Sequence, residues 1–248
     1  MIEDLLAANK AWAANKVRVD PNFFMRLVAQ QSPEYLWIGC SDSRVPANDV
    51  VGRDPGEMFV HRNVANLCSP QDMNFLSVLQ YAVEALKVRR ILVVGHYGCG
   101  GVLASMNEPN HGLVDHWLGP VRAQALRHRD DLAAIADPQA RHDRLVELNV
   151  IEQARLVNAN PVVIHARERG QDIGVHGWVY SIRTGLVNDL HVPVPAGAHD
   201  PGASTRVRSA ESPQAPRGTP VGQGAADQPP LTQPLVPPRK RGLFGPKA

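Results

Sequence analysis

Short apolar runs and stretches with a hydrophobic residue every three or four positions take turns along the chain, and this alternation sets the expected elements. Asp20-Pro21 reads as a helix cap followed by proline in the first turn. Phe23, Phe24, Leu27 and Val28 then share one face of a helix ending near Gln31. Tyr35-Leu36-Trp37-Ile38-Gly39 is an unbroken apolar run that predicts a buried strand, and Met58 to His61 predicts a second. Beyond Asp72, residues Leu76, Leu79, Val83 and Leu86 keep helical spacing. They predict a helix of about 15 residues leading into a third strand at Ile91-Leu92-Val93-Val94-Gly95. Helical patterns return over Leu113 to His128 and Arg141 to Asn158, Pro161-Val162-Val163-Ile164-His165 predicts a further strand, and alternation runs from Val175 to Ile182. Strands interleaved with helices predict an α/β fold, with a mainly parallel central sheet flanked by helices. No repeat of fixed period is visible, which excludes solenoids and propellers.

Composition narrows the function classes. At 44% hydrophobic and 20% charged residues, the 248-residue chain can bury a core. Its longest apolar run, around Ile91 to Val94, falls far short of the ~20 residues that a membrane-spanning helix requires, so no membrane partner is expected. The start, Met1-Ile2-Glu3-Asp4-Leu5, is acidic where a secretory signal is basic, which predicts a cytoplasmic protein. The formal net charge of +2 is unevenly spread: residues 199–248 hold seven Arg or Lys, three acids and ten of the 21 prolines, which leaves −2 on residues 1–198. A slightly acidic body has no electrostatic footprint for a phosphate backbone, so no nucleic-acid partner is expected. The proline-rich basic tail cannot bury enough apolar surface to offset chain ordering and is expected to be disordered. The chain then divides into a folded domain over 1–195 and a tail over 196–248, with Arg239-Lys240-Arg241 part of the solvated tail.

Three cysteines, Cys40, Cys68 and Cys99, are few and odd in number, which points to metal binding or catalysis rather than a disulfide framework. Two strand ends carry the unusual residues: Cys40-Ser41-Asp42-Ser43-Arg44 after the first strand and His96-Tyr97-Gly98-Cys99-Gly100-Gly101 after the third. In open α/β sheets ligands sit at the carboxyl ends of strands, so these loops can face one another across a crevice. A His-x-x-Cys pair and one distant Cys give Zn²⁺ three ligands and leave one position open, a catalytic arrangement. Two alternatives stand beside it: Cys40, His96 and Cys99 as ordinary core residues, and a structural zinc closed by Asp42.

Cys40-Ser41-Asp42-Ser43-Arg44-Val45-Pro46, the stretch from Gly56 to Asn66 containing His61-Arg62-Asn63, and Gly95-His96-Tyr97-Gly98-Cys99-Gly100-Gly101 closely resemble the β-class carbonic anhydrases, specifically the bacterial, bicarbonate-regulated type. The resemblance covers about residues 1 to 195. It implies an α/β fold with an N-terminal helical arm, matched by helices over Met1 to Ala14 and Asp20 to Gln31, and a homodimer or homotetramer. It also implies a Zn²⁺ enzyme interconverting carbon dioxide and bicarbonate, with Cys40, His96 and Cys99 as metal ligands and zinc-bound hydroxide as the attacking group. Phe59, Val64 and Tyr81 would line the substrate pocket, with Gln31 and the backbone around Gly100 offering hydrogen bonds. Asp42 and Arg44, two apart in an extended loop, can form a bidentate pair that keeps the fourth metal position free; when the pair breaks, Asp42 can close it. Trp37, Arg62 and Tyr180 match a trio that binds regulatory bicarbonate in part of the family. Relatives that hydrolyse carbon disulfide or carbonyl sulfide with the same ligands, and a structural-zinc binding module, are the alternative activities. Cys68 reads as a free thiol, and His61, His165, His176 and His191, in or beside strands, as core or hydrogen-bonded residues. No residue stands out as a proton shuttle.

Overall fold

The computed structural model describes residues 2–29, 31–109 and 112–193. The expected tail and the domain boundary at 195/196 lie outside them. In chain order the elements are α1 (Ile2–Val19), α2 (Phe23–Ala29), β1 (Tyr35–Cys40), α3 (Ala47–Val50), β2 (Met58–Asn63), α4 (Met73–Gln80), β3 (Arg90–His96), α5 (Gly100–Ser105), α6 (Leu113–Trp117), α7 (Gly119–Arg127), α8 (Arg129–Ala133), α9 (Pro138–Asn158), α10 (Pro161–Glu168), β4 (Gly174–Tyr180) and β5 (Val187–Asp189). Among the described residues, no helix is long and apolar enough to cross a membrane.

The sheet runs in the order β2-β1-β3-β4-β5. The first four strands are parallel, with Tyr35 opposite both Met58 and Arg90, and Arg90 opposite Gly174; β5 alone is antiparallel, Val187 opposite Tyr180. Central parallel strands are covered on both faces, which is why β1 and β3 read as unbroken apolar runs rather than alternating ones. On one face, Leu36, Ile38, Ile91 and Val93 pack with Leu145, Val146, Val150 and Val157 of α9. On the other, Trp37, Leu92 and Val94 pack with Val45, Ala47 and Met58.

The strand expected at Pro161–His165 is instead the first half of α10. Asn160 Oδ1 accepts from the Val162 amide at 3.0 Å and Pro161 fills the first turn, so the cap chemistry overrides the β-branched run Val162-Val163-Ile164. His165 therefore lies exposed on a helix, and His191 lies exposed beyond β5; of the four histidines, only His61 is buried. The single helix expected over Leu113–His128 breaks into α6 and α7 at Gly119-Pro120, where proline cannot donate into a continuing helix. α9 begins three residues before the expected Arg141, capped by Asp137 accepting from the Ala140 amide. α4 continues through Tyr81–Ala85 in a wider turn, with the Leu86 amide reaching back five residues to Tyr81 O. α1 buries no residue; it meets α2 where Trp12 stacks edge-on against Phe23 and Phe24, and it leaves Leu5 and Leu6 exposed.

Candidate metal centre

From β1 the chain passes to β2 on one side and then crosses to β3 on the other, so the strand order reverses between β1 and β3. Such a switch point leaves a crevice at the carboxyl ends of the two strands. Cys40 is the last residue of β1 and His96 the last of β3. A turn through Gly98, at φ 74°, then brings Cys99 back to them at the start of α5. Gly98 is in the left-handed region that glycine adopts freely.

One ligand atom each from Cys40, His96 and Cys99 lies within 4.8 Å of the others, and all three residues are buried. The sulfurs are 3.9 Å apart. Two Zn–S bonds of about 2.3 Å meeting at a tetrahedral angle would separate them by about 3.8 Å. His96 Nδ1 lies 3.2 Å from Tyr97 O, and since a carbonyl can only accept, Nδ1 carries the hydrogen. Nε2 then holds a lone pair, and it is buried without a hydrogen-bond partner. Two thiols and one orphaned imidazole nitrogen within metal-binding reach suit Zn²⁺.

The sulfurs are electrostatically prepared. Cys40 is drawn down to about 4 by the neighbouring Cys99 thiol, by His96 and by the backbone amides of Ala65 and Asp42. Cys99 is pushed up by Cys40 and by burial, so the two sulfurs oppose one another's ionisation. The amide that serves Cys40 comes from an unusual turn: Ala65 and Asn66 have φ of 65° and 49°. Left-handed non-glycine residues cost on the order of 1–2 kcal/mol each, so the surroundings must hold the turn in place. Asn63 does so from below, its Nδ2 donating to Leu67 O and its Oδ1 accepting from the Leu67 amide, both at 2.7 Å. Trp117 Nε1 donates to Val64 O at 2.8 Å.

Arg44 grips Asp42 in two parallel bonds, Nε to Oδ1 at 3.0 Å and Nη2 to Oδ2 at 2.7 Å, and the Arg44 amide adds a third at 2.9 Å. The guanidinium holds the Asp42 carboxyl well below the usual carboxylate range. Asp42 Oδ2 lies 3.7 Å from His96 Nε2, so this ionised oxygen sits beside the Cys40, His96 and Cys99 group. Arg62 steadies the same loop from β2, its Nε donating to Cys40 O at 2.9 Å and its Nη2 to Asp42 O.

Comparison with known proteins agrees with this geometry. The family model described as carbonic anhydrase matches residues 35–187. A carbonic anhydrase of Emericella nidulans is 48% identical over 193 residues, 78% of this chain and 85% of that one. The chain belongs to the β-class carbonic anhydrase family. A tetrameric β-carbonic anhydrase of Sordaria macrospora superposes with a TM-score of 0.73 at 40% identity, covering 76% of this chain and 96% of that one. A β-carbonic anhydrase of Aspergillus fumigatus does so with a TM-score of 0.76 at 36% identity, covering 79% and 94%. The protein is thus an enzyme of the carbonate dehydratase class with zinc as its cofactor, and Cys40, His96 and Cys99 form a group that could hold such an ion. These three relatives are fungal.

The carbonic anhydrase fold brings only part of the expected pocket to the metal. Val64 is 37% exposed and close enough to α5 that a Cβ on Gly101 would meet its Cγ1 at 2.9 Å. Gly100 opens α5 beside Cys99, facing open space. Phe59 and Tyr81 pack against each other at 5.8 Å, but Phe59 sits opposite Leu36, four residues before Cys40. At about 3.3 Å per residue that is roughly 13 Å back along the strand from the metal end of the same chain. Gln31 is exposed ahead of β1. Trp37, Arg62 and Tyr180 lie on one face of the sheet by register, on β1, β2 and β4 respectively. Cys68 is a buried free thiol, pushed up by burial. Sequence reasoning missed the Ala65 turn and the polar residues around it, because no spacing rule marks a backbone amide as a partner of sulfur.

Proposed function

We propose that this carbonic anhydrase reversibly hydrates carbon dioxide to bicarbonate and a proton, and that the Asp42–Arg44 pair governs access to the fourth metal position. The observation that carries this reading is the Asp42 carboxylate, doubly bonded to Arg44 and 3.7 Å from His96 Nε2. Zinc at this site supplies a water of lowered pKa as the nucleophile. Asp42, held ionised by Arg44, can only accept hydrogen bonds, so it would accept one from a water that zinc held by Cys40, His96 and Cys99 would activate. Val64 and the Gly100 backbone would border the approach of the neutral gas to the metal. Freed from Arg44, the same carboxylate is near enough to close the site. Arg44→Gln is therefore expected to retain zinc and to lose at least tenfold in the stopped-flow rate of carbon dioxide hydration; a rate within twofold of wild type at equal zinc content would refute the gate. Rapid sulfide release from carbon disulfide without carbon dioxide hydration would transfer the chain to the alternative hydrolase reading.

The functional unit in this proposal is a homodimer or homotetramer. The exposed apolar face of α1 and the half-exposed Tyr81 beside Phe59 call for cover by another copy, and the Sordaria relative is tetrameric. In such an assembly Gln31, Phe59 and Tyr81 can serve a neighbouring copy's metal. The catalytic domain spans residues 1–195 and acts in the cytoplasm, where free cysteines persist. Regulation by bicarbonate at Trp37, Arg62 and Tyr180 belongs to the same reading. An anion that draws Arg62 off the Cys40 and Asp42 carbonyls would loosen the Asp42 loop. Cooperative inhibition by bicarbonate, lost in Trp37→Val, is the expected result; hyperbolic inhibition in wild type would exclude this regulation.

A further inference from the structure

Helix α9 carries a row of buried polar side chains that reach the segment after β2 and the Cys99 loop. His142, Asn149 and Gln153 are spaced seven and four residues apart, which places them on one helix face, and none is more than 4% exposed. Gln153 Nε2 donates to Asn149 Oδ1 at 3.1 Å, and Asn149 Nδ2 donates to Ala65 O at 3.0 Å. Gln153 Oε1 accepts from the Cys68 amide at 2.7 Å. These bonds anchor the left-handed turn at Ala65 and Asn66 and the segment after it, and Ala65 lies in the same buried cluster as Cys40. Two turns earlier on the helix, His142 Nε2 lies 3.0 Å from Cys99 O and, facing a carbonyl, donates to it.

Buried polar groups are costly unless paired, and a helix needs none of these three for its own backbone. Apart from the Gln153–Asn149 bond, their partners lie in the segment after β2 and in the Cys99 loop. We propose that Asn149 and Gln153 are positioning residues of the zinc site: by holding the strained Ala65 turn where it packs with Cys40 they fix the geometry of that ligand. His142 steadies the Cys99 segment in the same way. This inference rests on the zinc site described above but not on the Asp42–Arg44 gate. Partners that orient metal ligands typically account for 10–100-fold in metal affinity.

The test compares Asn149→Leu and Gln153→Met with Asn158→Leu in the full-length chain. Asn158 is equally buried on α9 but serves Arg167 rather than the metal loops. Zinc affinity is measured by competition with a chromogenic chelator, the thiolate-to-metal charge-transfer band is read after Co²⁺ substitution, and the Tm of each metal-free protein is recorded. Asn149→Leu and Gln153→Met are expected to weaken zinc binding 10–100-fold and to shift the charge-transfer band. Asn158→Leu lowers Tm while leaving affinity and band within twofold of wild type and unshifted. Affinity and band unchanged in either metal-loop variant, or altered equally in Asn158→Leu, would overturn the proposal. Should Asn149→Leu not accumulate folded, Gln153→Met breaks the other link of the same chain and decides alone. A wild-type protein that binds no zinc would instead refute the metal site itself.

Discussion

Adding a single methyl group at Gly95 tests how tightly α9 is seated behind the metal. Gly95 precedes the ligand His96 on β3, and a Cβ built there would stand 2.5 Å from Val150 Cγ2 and 3.4 Å from both Val146 Cγ1 and Asn66 Oδ1. Ordinary contact begins near 3.4 Å, so Val150 must retreat by about 1 Å. It cannot do so by rotating: Val150 is fully buried, β-branched and held to essentially one rotamer in a helix. The helix itself has to move. Overpacking of this kind costs about 1–3 kcal/mol, and in a protein of this size each kcal/mol lowers Tm by about 2–4 °C. Gly95→Ala should therefore lower Tm by roughly 2–12 °C in thermal unfolding followed by circular dichroism. Zinc affinity should fall as well, since Asn149 adjoins Val150. Val150→Ala in the same chain removes the colliding methyls, so the double variant should lose less than the sum of the two single changes. A Tm within about 1 °C of wild type, or strict additivity in the double variant, would refute the close seating of α9 on β3.

Two further outcomes follow from the charges and thiols. Because Arg44 holds the Asp42 carboxyl below its ordinary range, ionised Asp42 stabilises the fold above about pH 4, and this contribution fades as the pH falls through the lowered folded value. Asp42→Asn should thus lower the Tm of the metal-free chain at neutral pH and by a smaller margin near pH 3; a deficit independent of pH would contradict the pairing. Among the thiols, Cys40 is drawn toward thiolate while Cys68 is held protonated by burial. A thiol reagent added to the native metal-free protein should therefore modify Cys40 before Cys68, as peptide mapping would show, and the reverse order would contradict the site's electrostatics.

The parts of this molecule legible in the sequence were those written in local patterns. β1 and β3 appear as apolar runs because strands covered on both faces have no polar side to show. The ligands Cys40, His96 and Cys99 stand beside glycines at strand ends, where the chemistry of donor types and spacing suffices. α10 was misread because Val162, Val163 and Ile164 favour strands, whereas the deciding information lay in the preceding Asn160-Pro161 cap. β5, three residues long and mostly exposed, has no periodicity to detect; pairing with β4 defines it. Asn149 and Gln153 could have been noticed as polar residues among Leu145, Val146, Val150 and Ala154 on a helix, but their partners are more than 80 residues away, a relation visible only in three dimensions. The displacement of Phe59 and Tyr81 from the metal end is likewise a matter of strand register, which motif matching does not contain.

X-ray absorption at the zinc edge of the full-length zinc protein tests the central arrangement most directly. Two sulfur scatterers at about 2.3 Å and one imidazole nitrogen at about 2.0–2.1 Å are expected, with one sulfur lost in Cys40→Ser. A shell containing fewer than two sulfurs in wild type, or the same shell in Cys40→Ser, would contradict the assignment of Cys40, His96 and Cys99 as the ligands.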